Sequence, residues 1–168
     1  MKEIRDFNGQ GRWSRESIQS RFKSYAESFG TTIEKLEPLA HEEGQVTWLY
    51  PLLLAVIKGI ENRDPACVEL GVELIEDGSS MPFGMTLKHD AARALRRSAD
   101  LLTDGHRDRI RNRIAEMLIA GYVPPEFKQY IKLVRHIGVG HALSRVEAEA
   151  DLENPRVQRY LQRMRQAK

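Results

Sequence analysis

The chain has 168 residues, with 26 Lys and Arg against 24 Asp and Glu, for a formal net charge of +2. That length suits one domain with a sizeable core or a short repeat array, and argues against two full domains. With 41% hydrophobic and 30% charged residues and one cysteine, Cys67, the composition excludes disorder throughout, a collagen-like fibre and a disulfide scaffold, and points to a reducing compartment.

No apolar run follows the charges of Met1–Asp6, so residues 1–14 are expected as a flexible N-terminal segment rather than a secretory signal. Residues 15–168 are expected as a single all-α domain. Ile18, Phe22, Tyr25, Ala26 and Phe29 share one face of a helix that Ser14 caps and Gly30 ends. Thr31-x-x-Glu34 has the form of a capping box for a short second helix, broken at Pro38. Residues 47–62 place Leu49, Leu52, Leu53, Val56, Ile57 and Ile60 on one stripe, and Pro51 fits that helix only in its first turn. Val46–Tyr50 has strand propensity, but a lone strand leaves its backbone unsatisfied, so no strand is expected there. The most apolar stretch, Trp48–Ile57, is far short of the roughly 20 residues that span a bilayer. A cytoplasmic protein without a membrane partner is the expectation.

Asp64-Pro65 opens a helix to about Asp77, and residues 78–84, rich in Gly and Ser, form the clearest loop. A helix from about Met85 buries Leu87, Ala91, Ala94, Leu95 and Leu102. Thr103 or Asp104 caps the next, with Ile110, Ile114, Met117 and Leu118 inward and Gly121 at its end. Pro124-Pro125 begins another, burying Phe127, Tyr130, Ile131, Val134 and Ile137. A weaker helix covers 141–152, and Asn154-Pro155 starts a last one with Val157, Tyr160, Leu161 and Met164. About eight or nine helices result.

An offset of 42 residues carries Leu49, Leu52, Leu53, Ile57 and Ile60 onto Ala91, Ala94, Leu95, Ala99 and Leu102, and Val68, Val72 and Ile75 onto Ile110, Ile114 and Met117. The repeat units are therefore set at 47–78 and 85–121, with Pro124–Gly138 as the start of a third. In these segments the chain resembles the HEAT/armadillo-like α-solenoid superfamily, in which stacked helical hairpins bury faces that none can bury alone. The central region is also similar to small bacterial helical-repeat proteins, a likeness that implies no activity. The superfamily resemblance implies a short right-handed α-solenoid of stacked hairpins. It implies a surface for proteins or peptides in most members, for nucleic acid in some, and DNA-repair glycosylase activity in a few. No glycosylase residue set can be carried onto this sequence.

No residue pattern argues for catalysis. The histidines at 41, 89, 106, 136 and 141 lack metal-ligand spacing, and Gly138-Val139-Gly140 follows a helix rather than the strand that a dinucleotide loop requires. Cys67 sits beside Val68 and Leu70 and reads as core. Neither a cofactor nor a metal is expected.

Charge is what remains. Residues 1–84 carry 9 basic and 14 acidic side chains; residues 85–168 carry 17 and 10. Glu69, Glu73, Glu76 and Asp77 share a face of helix 65–77. Seven arginines lie between Arg93 and Arg113: Arg93, Arg96, Arg97, Arg107, Arg109, Arg111 and Arg113. Three readings compete for them: a solvated face, pairing with the acidic stripe across neighbouring repeats with Glu69 beside Arg111, or a surface for a polyanion or acidic partner. The last helix adds Arg156, Arg159, Arg163, Arg165 and Lys168 with no acid after Glu153. The leading expectation is a non-catalytic repeat module for a protein partner. The alternative is nucleic-acid binding through Arg93, Arg96, Arg97, Arg107 and Arg111 together with Arg156, Arg159 and Arg163. A homodimer joined through the oppositely charged halves is a further option, and an enzyme on a solenoid scaffold a remote one.

Overall fold

The computed structural model describes residues 1–31 and 35–166. Among the described residues it is mostly helical, with eight α-helices, and carries a small three-stranded sheet. The elements are β1 (Glu3–Asp6), α1 (Arg15–Ser28), β2 (Ala40–Glu43), β3 (Val46–Leu49), α2 (Leu52–Glu61), α3 (Pro65–Glu76), α4 (Gly84–Arg97), α5 (Asp104–Ile119), α6 (Phe127–Ile137), α7 (His141–Glu149) and α8 (Pro155–Arg165).

The sheet corrects the expectation that no strand forms at Val46–Tyr50. Strand β3 finds two partners: β2 pairs antiparallel with it, Ala40 opposite Leu49, and β1 pairs parallel, Glu3 opposite Val46. Gly44, at φ +61, supplies the turn between β2 and β3 that a side chain would strain. Helix α2 therefore starts at Leu52, five residues after Thr47, with Pro51 outside it as N-cap. Proline lacks a capping side chain, and Asn8 supplies one from the N-terminal segment. Its Oδ1 accepts the Leu52 amide at 2.7 Å while its Nδ2 donates to the Tyr50 carbonyl at 3.2 Å. Residues 1–14, expected as flexible, thus hold β1, this cap and the buried Trp13. The Thr31–Glu34 capping box falls mainly on residues outside the described ones.

N-cap side chains set four of the helix starts. The Ser14, Asp64, Thr103 and Asn154 side chains accept amides of the first turns of α1, α3, α5 and α8. Phe83, before α4, takes the left-handed region at φ 58. Phe29, placed by periodicity on the buried face of α1, lies past that helix and is exposed.

The helices alternate between two layers. Helices α2, α4, α6 and α8 pack in that order, and α1, α3, α5 and α7 pack in theirs; α2 meets α3, α5 meets α6 and α7 meets α8 between layers. One continuous apolar core lies between them. The 42-residue offset carries α3 onto residues 107–118, within α5, and Val68, Val72, Ile75 and their counterparts are all buried. It carries α2 onto 94–103, which is the end of α4 and a 3-10 turn at Ala99–Leu101. The second helices of the two units are in register; the first are not.

At the α2–α3 contact the helices approach closely because Gly59 lacks a side chain. A Cβ there would sit 2.3 Å from the Cys67 sulfur. Cys67 is 1% exposed, and burial, aided by Asp64, pushes its thiol up to about 12.

Candidate functional site

The acidic stripe of α3 is spent inside the molecule. Glu73, 3% exposed, receives Arg21 and Tyr25 of α1, and Arg12 approaches the same carboxylate at 3.1 Å. The Arg21 guanidinium also lies 4.8 Å from the centroid of the Trp13 ring, whose Nε1 donates to Asp77 at 2.7 Å. On the other flank Glu69 meets His106 Nε2 at 2.5 Å and Arg109 Nη1 at 2.8 Å, while Arg109 Nε donates to Glu76 at 2.9 Å. The His106 hydrogen bond, with Arg109 behind it, draws the Glu69 carboxyl down to about 2. So α3 is bound to α1 through Glu73 and to α5 through Glu69 and Glu76, while its C-cap Asp77 holds Trp13 just before α1.

This is the pairing across neighbouring units that the charge pattern suggested, with a different arginine. Arg109, not Arg111, faces Glu69. Arg111 turns the other way, donating to the carbonyls of Gly138 at 2.7 Å and Ile137 at 3.0 Å, where it closes the C-terminus of α6. Arg107 donates to the Ala99 carbonyl at 3.1 Å and braces the α4–α5 connection. Two of the eight arginines singled out in the sequence, Arg107 and Arg111, thus have their guanidiniums occupied by main-chain carbonyls.

The other six lie in one layer. Arg93, Arg96 and Arg97 are on α4; Arg156, Arg159 and Arg163 are on α8. Between those helices lies α6, whose Lys128, Lys132 and Arg135 are spaced by four and three, share one face and are all exposed. Sequence reasoning missed this triad. Its signal was present, since α6 has no acid within it. Together α2, α4, α6 and α8 carry twelve Lys and Arg against two acids, Glu61 and Asp90, a balance of +10. The helices of the other layer carry eight against ten, a balance of −2.

Each helix of a two-layer stack turns one face to the opposite layer, so the exposed sides of α4, α6 and α8 look outward together. Among the described residues the ion pairs of this layer are those of His89 with Asp90 and of Arg165 with Glu147. That leaves Arg93, Arg96, Arg97, Lys128, Lys132, Arg135, Arg156, Arg159 and Arg163 unpaired. Arg93 and Arg97 line a shallow cleft of about 250 Å³ with Ile57, Glu61 and Asp90. Arg163 lies 5.3 Å from the Tyr160 ring centroid, and that ring packs edge-on against Phe127 at 4.9 Å. An array of unpaired cations on one face attracts a polyanion along its length, with potentials summing over the surface.

Among the described residues no three His, Cys, Asp or Glu side chains are grouped to hold a metal ion, and no helix is long and apolar enough to cross a membrane. Compared with known proteins, the chain matches no family model, no curated protein and no solved structure.

Proposed function

We propose that the chain is a non-catalytic helical-repeat module that binds a nucleic acid across the exposed side of α4, α6 and α8. The observation that carries the reading is the +10 balance of that layer beside −2 for its neighbour. Arginine suits such a role because its planar fork matches phosphate oxygens, and phosphate contacts supply most of non-specific affinity. The alternating two-layer packing supports a short α-solenoid of HEAT/armadillo-like type, and a cytoplasmic location agrees with the single buried thiol.

Fluorescence anisotropy with labelled duplex DNA and duplex RNA at low salt tests the reading. Saturable binding, weakened when Lys128, Lys132 and Arg135 are changed to alanine, is the expected result. No binding at low salt overturns it.

A protein partner is the second reading, and one observation favours it. Phe83, 58% exposed, meets Phe7 edge-on, and Phe7 stacks on Trp48 at 5.7 Å, an aromatic cluster where the sheet meets the start of α4. Polyglutamate separates the two. If it competes with DNA on equal terms per charge, the basic layer reads acidic side chains as readily as phosphates. A homodimer through oppositely charged halves has less to work with, because the acidic stripe is engaged within the chain. Sizing at rising salt tests that idea.

A further inference from the structure

Away from the unpaired arginines, the ends of α4 and α6 nearest the 78–84 loop hold two buried charges that the proposed surface does not use. Lys88 is 8% exposed and Glu126, just before α6, is 7% exposed. Both line a cleft of about 270 Å³ between the 78–84 loop and the Tyr122–Glu126 bend. The Lys88 ammonium donates to the Ser79 carbonyl at 3.2 Å. Among the described residues its charge has no acidic partner within 4.0 Å, and the Glu126 carboxylate has neither a hydrogen bond nor an ion pair. Behind the cleft, outside its lining, the Arg113 guanidinium lies against Gly78. Its Nε is buried without a partner, and a Cβ on Gly78 would come within 3.3 Å of its Nη2. Burial holds the Lys88 ammonium below the usual lysine range, against the pull of Glu126 and Asp77.

Opposite charges that are largely buried and unpaired have given up part of their hydration without gaining each other. Glu126 lacks a cation. Lys88 lacks an anion. A molecule that carries both groups on one carbon would complete the set, and the rest of the lining narrows its chemistry. Met81, Met85, Tyr122 and Pro125 supply apolar and aromatic surface around the charged floor.

We propose that this cleft binds a free α-amino acid with an apolar side chain. Its ammonium sits on Glu126, its carboxylate on Lys88, and its side chain lies against Met81, Met85 and Tyr122. The proposal is independent of the nucleic-acid reading, since it uses other residues and needs no polyanion.

Titration calorimetry and thermal melts with leucine and phenylalanine test it. Each amino acid is compared with its two halves: isoamylamine and 4-methylpentanoate for leucine, phenethylamine and 3-phenylpropanoate for phenylalanine. The expected result is saturable heat and a raised Tm with at least one amino acid, since a ligand that binds the folded state stabilises it. Each half-ligand should bind at least about tenfold more weakly, because it leaves one buried charge unanswered. Lys88→Met and Glu126→Gln should each weaken amino-acid binding by about tenfold or more. The proposal is overturned if neither amino acid binds at millimolar concentration, if a half-ligand binds as well as the whole, or if both variants bind like the parent. Where a variant fails to fold by circular dichroism, the half-ligand comparison on the unmodified protein decides.

Discussion

Arg109 on α5 reaches Glu69 on α3 with Nη1 2.8 Å from the carboxylate, and the same guanidinium donates to Glu76 two turns further on. One side chain thereby clamps two turns of the neighbouring helix. Arg109→Ala should remove both contacts and leave Glu69 and Glu76 partly buried with fewer partners, at a cost of about 1–3 kcal/mol. Urea unfolding measures it. Arg109→Lys should recover only part of the loss, because an ammonium cannot present the same fork to two carboxylates.

The same cluster sets an acid limit. The Glu69 carboxyl titrates at about 2 in the folded protein against an ordinary value of 4.5. A folded-state value below the unfolded one means that the contribution is complete above pH 4.5 and disappears as pH falls toward 2. The contribution is on the order of 2 kcal/mol once screening at the partly open edge is allowed for. Unfolding free energies at a series of acidic pH values should fall through that window, and Glu69→Gln should flatten the decline. An unchanged decline in the variant would assign the acid sensitivity elsewhere.

Glu73 is the most buried member of the network, and its loss should be the most damaging. Removing the carboxylate strands Arg21 beneath α1 and leaves the Tyr25 hydroxyl without its acceptor. Glu73→Ala should cost about 3–5 kcal/mol. Replacing both ends at once, Glu73→Leu with Arg21→Met, removes the stranded charge as well, and should restore most of that loss. A double variant no better than Glu73→Ala alone would mean that the hydrogen-bond geometry, rather than charge burial, holds the α1–α3 contact.

Much of the architecture was readable from spacing. The stripes of α3, α5, α6 and α8 and the caps at Asp64, Thr103 and Asn154 are local signals, and each lies where the periodicity places it. The sheet was not readable, because Glu3–Asp6 and Ala40–Glu43 are exposed along their whole length and carry no alternating apolar residues. Their pairing rests on main-chain bonds to a strand that, for β1, lies about 40 residues away in sequence. The basic surface was half readable. Arg93–Arg97 and Arg156–Arg163 stand out by charge alone, but the run from Arg93 to Arg113 looks continuous only in sequence. It passes from α4 in one layer to α5 in the other, where Arg107, Arg109 and Arg111 turn to carbonyls and carboxylates. Which helices share a layer is a tertiary fact, and it is what brings Lys128, Lys132 and Arg135 between the two outer groups.

Asn8 offers a test of the N-terminal segment. Its side chain bonds both the last carbonyl before Pro51 and the first amide of α2, joining the sheet to the helical stack. Asn8→Ala should lower stability by about 1 kcal/mol, as loss of a helix cap does. Asn8→Asp should keep the acceptor for Leu52 but lose the donor to Tyr50, and fall between. Equal stability of all three proteins would show that the Asn8 cap adds nothing to the fold.

The layer asymmetry makes a quantitative prediction about salt. Each phosphate contact that is lost should reduce the slope of log affinity against log salt by about 0.9 for duplex DNA. Changing Lys128, Lys132 and Arg135 to alanine should therefore flatten the slope by up to about 2.7, with little effect on stability because all three are exposed. The opposite pattern is expected for Arg107→Ala with Arg111→Ala. Those guanidiniums serve carbonyls at the α4–α5 connection and the end of α6, so stability should fall by about 1–3 kcal/mol while the slope holds. Both sets remove positive charge from the same chain, so net charge alone cannot produce the difference. A slope that falls in proportion to the charge removed, whichever layer it comes from, would show that the nucleic acid senses the whole molecule rather than the face built by α4, α6 and α8.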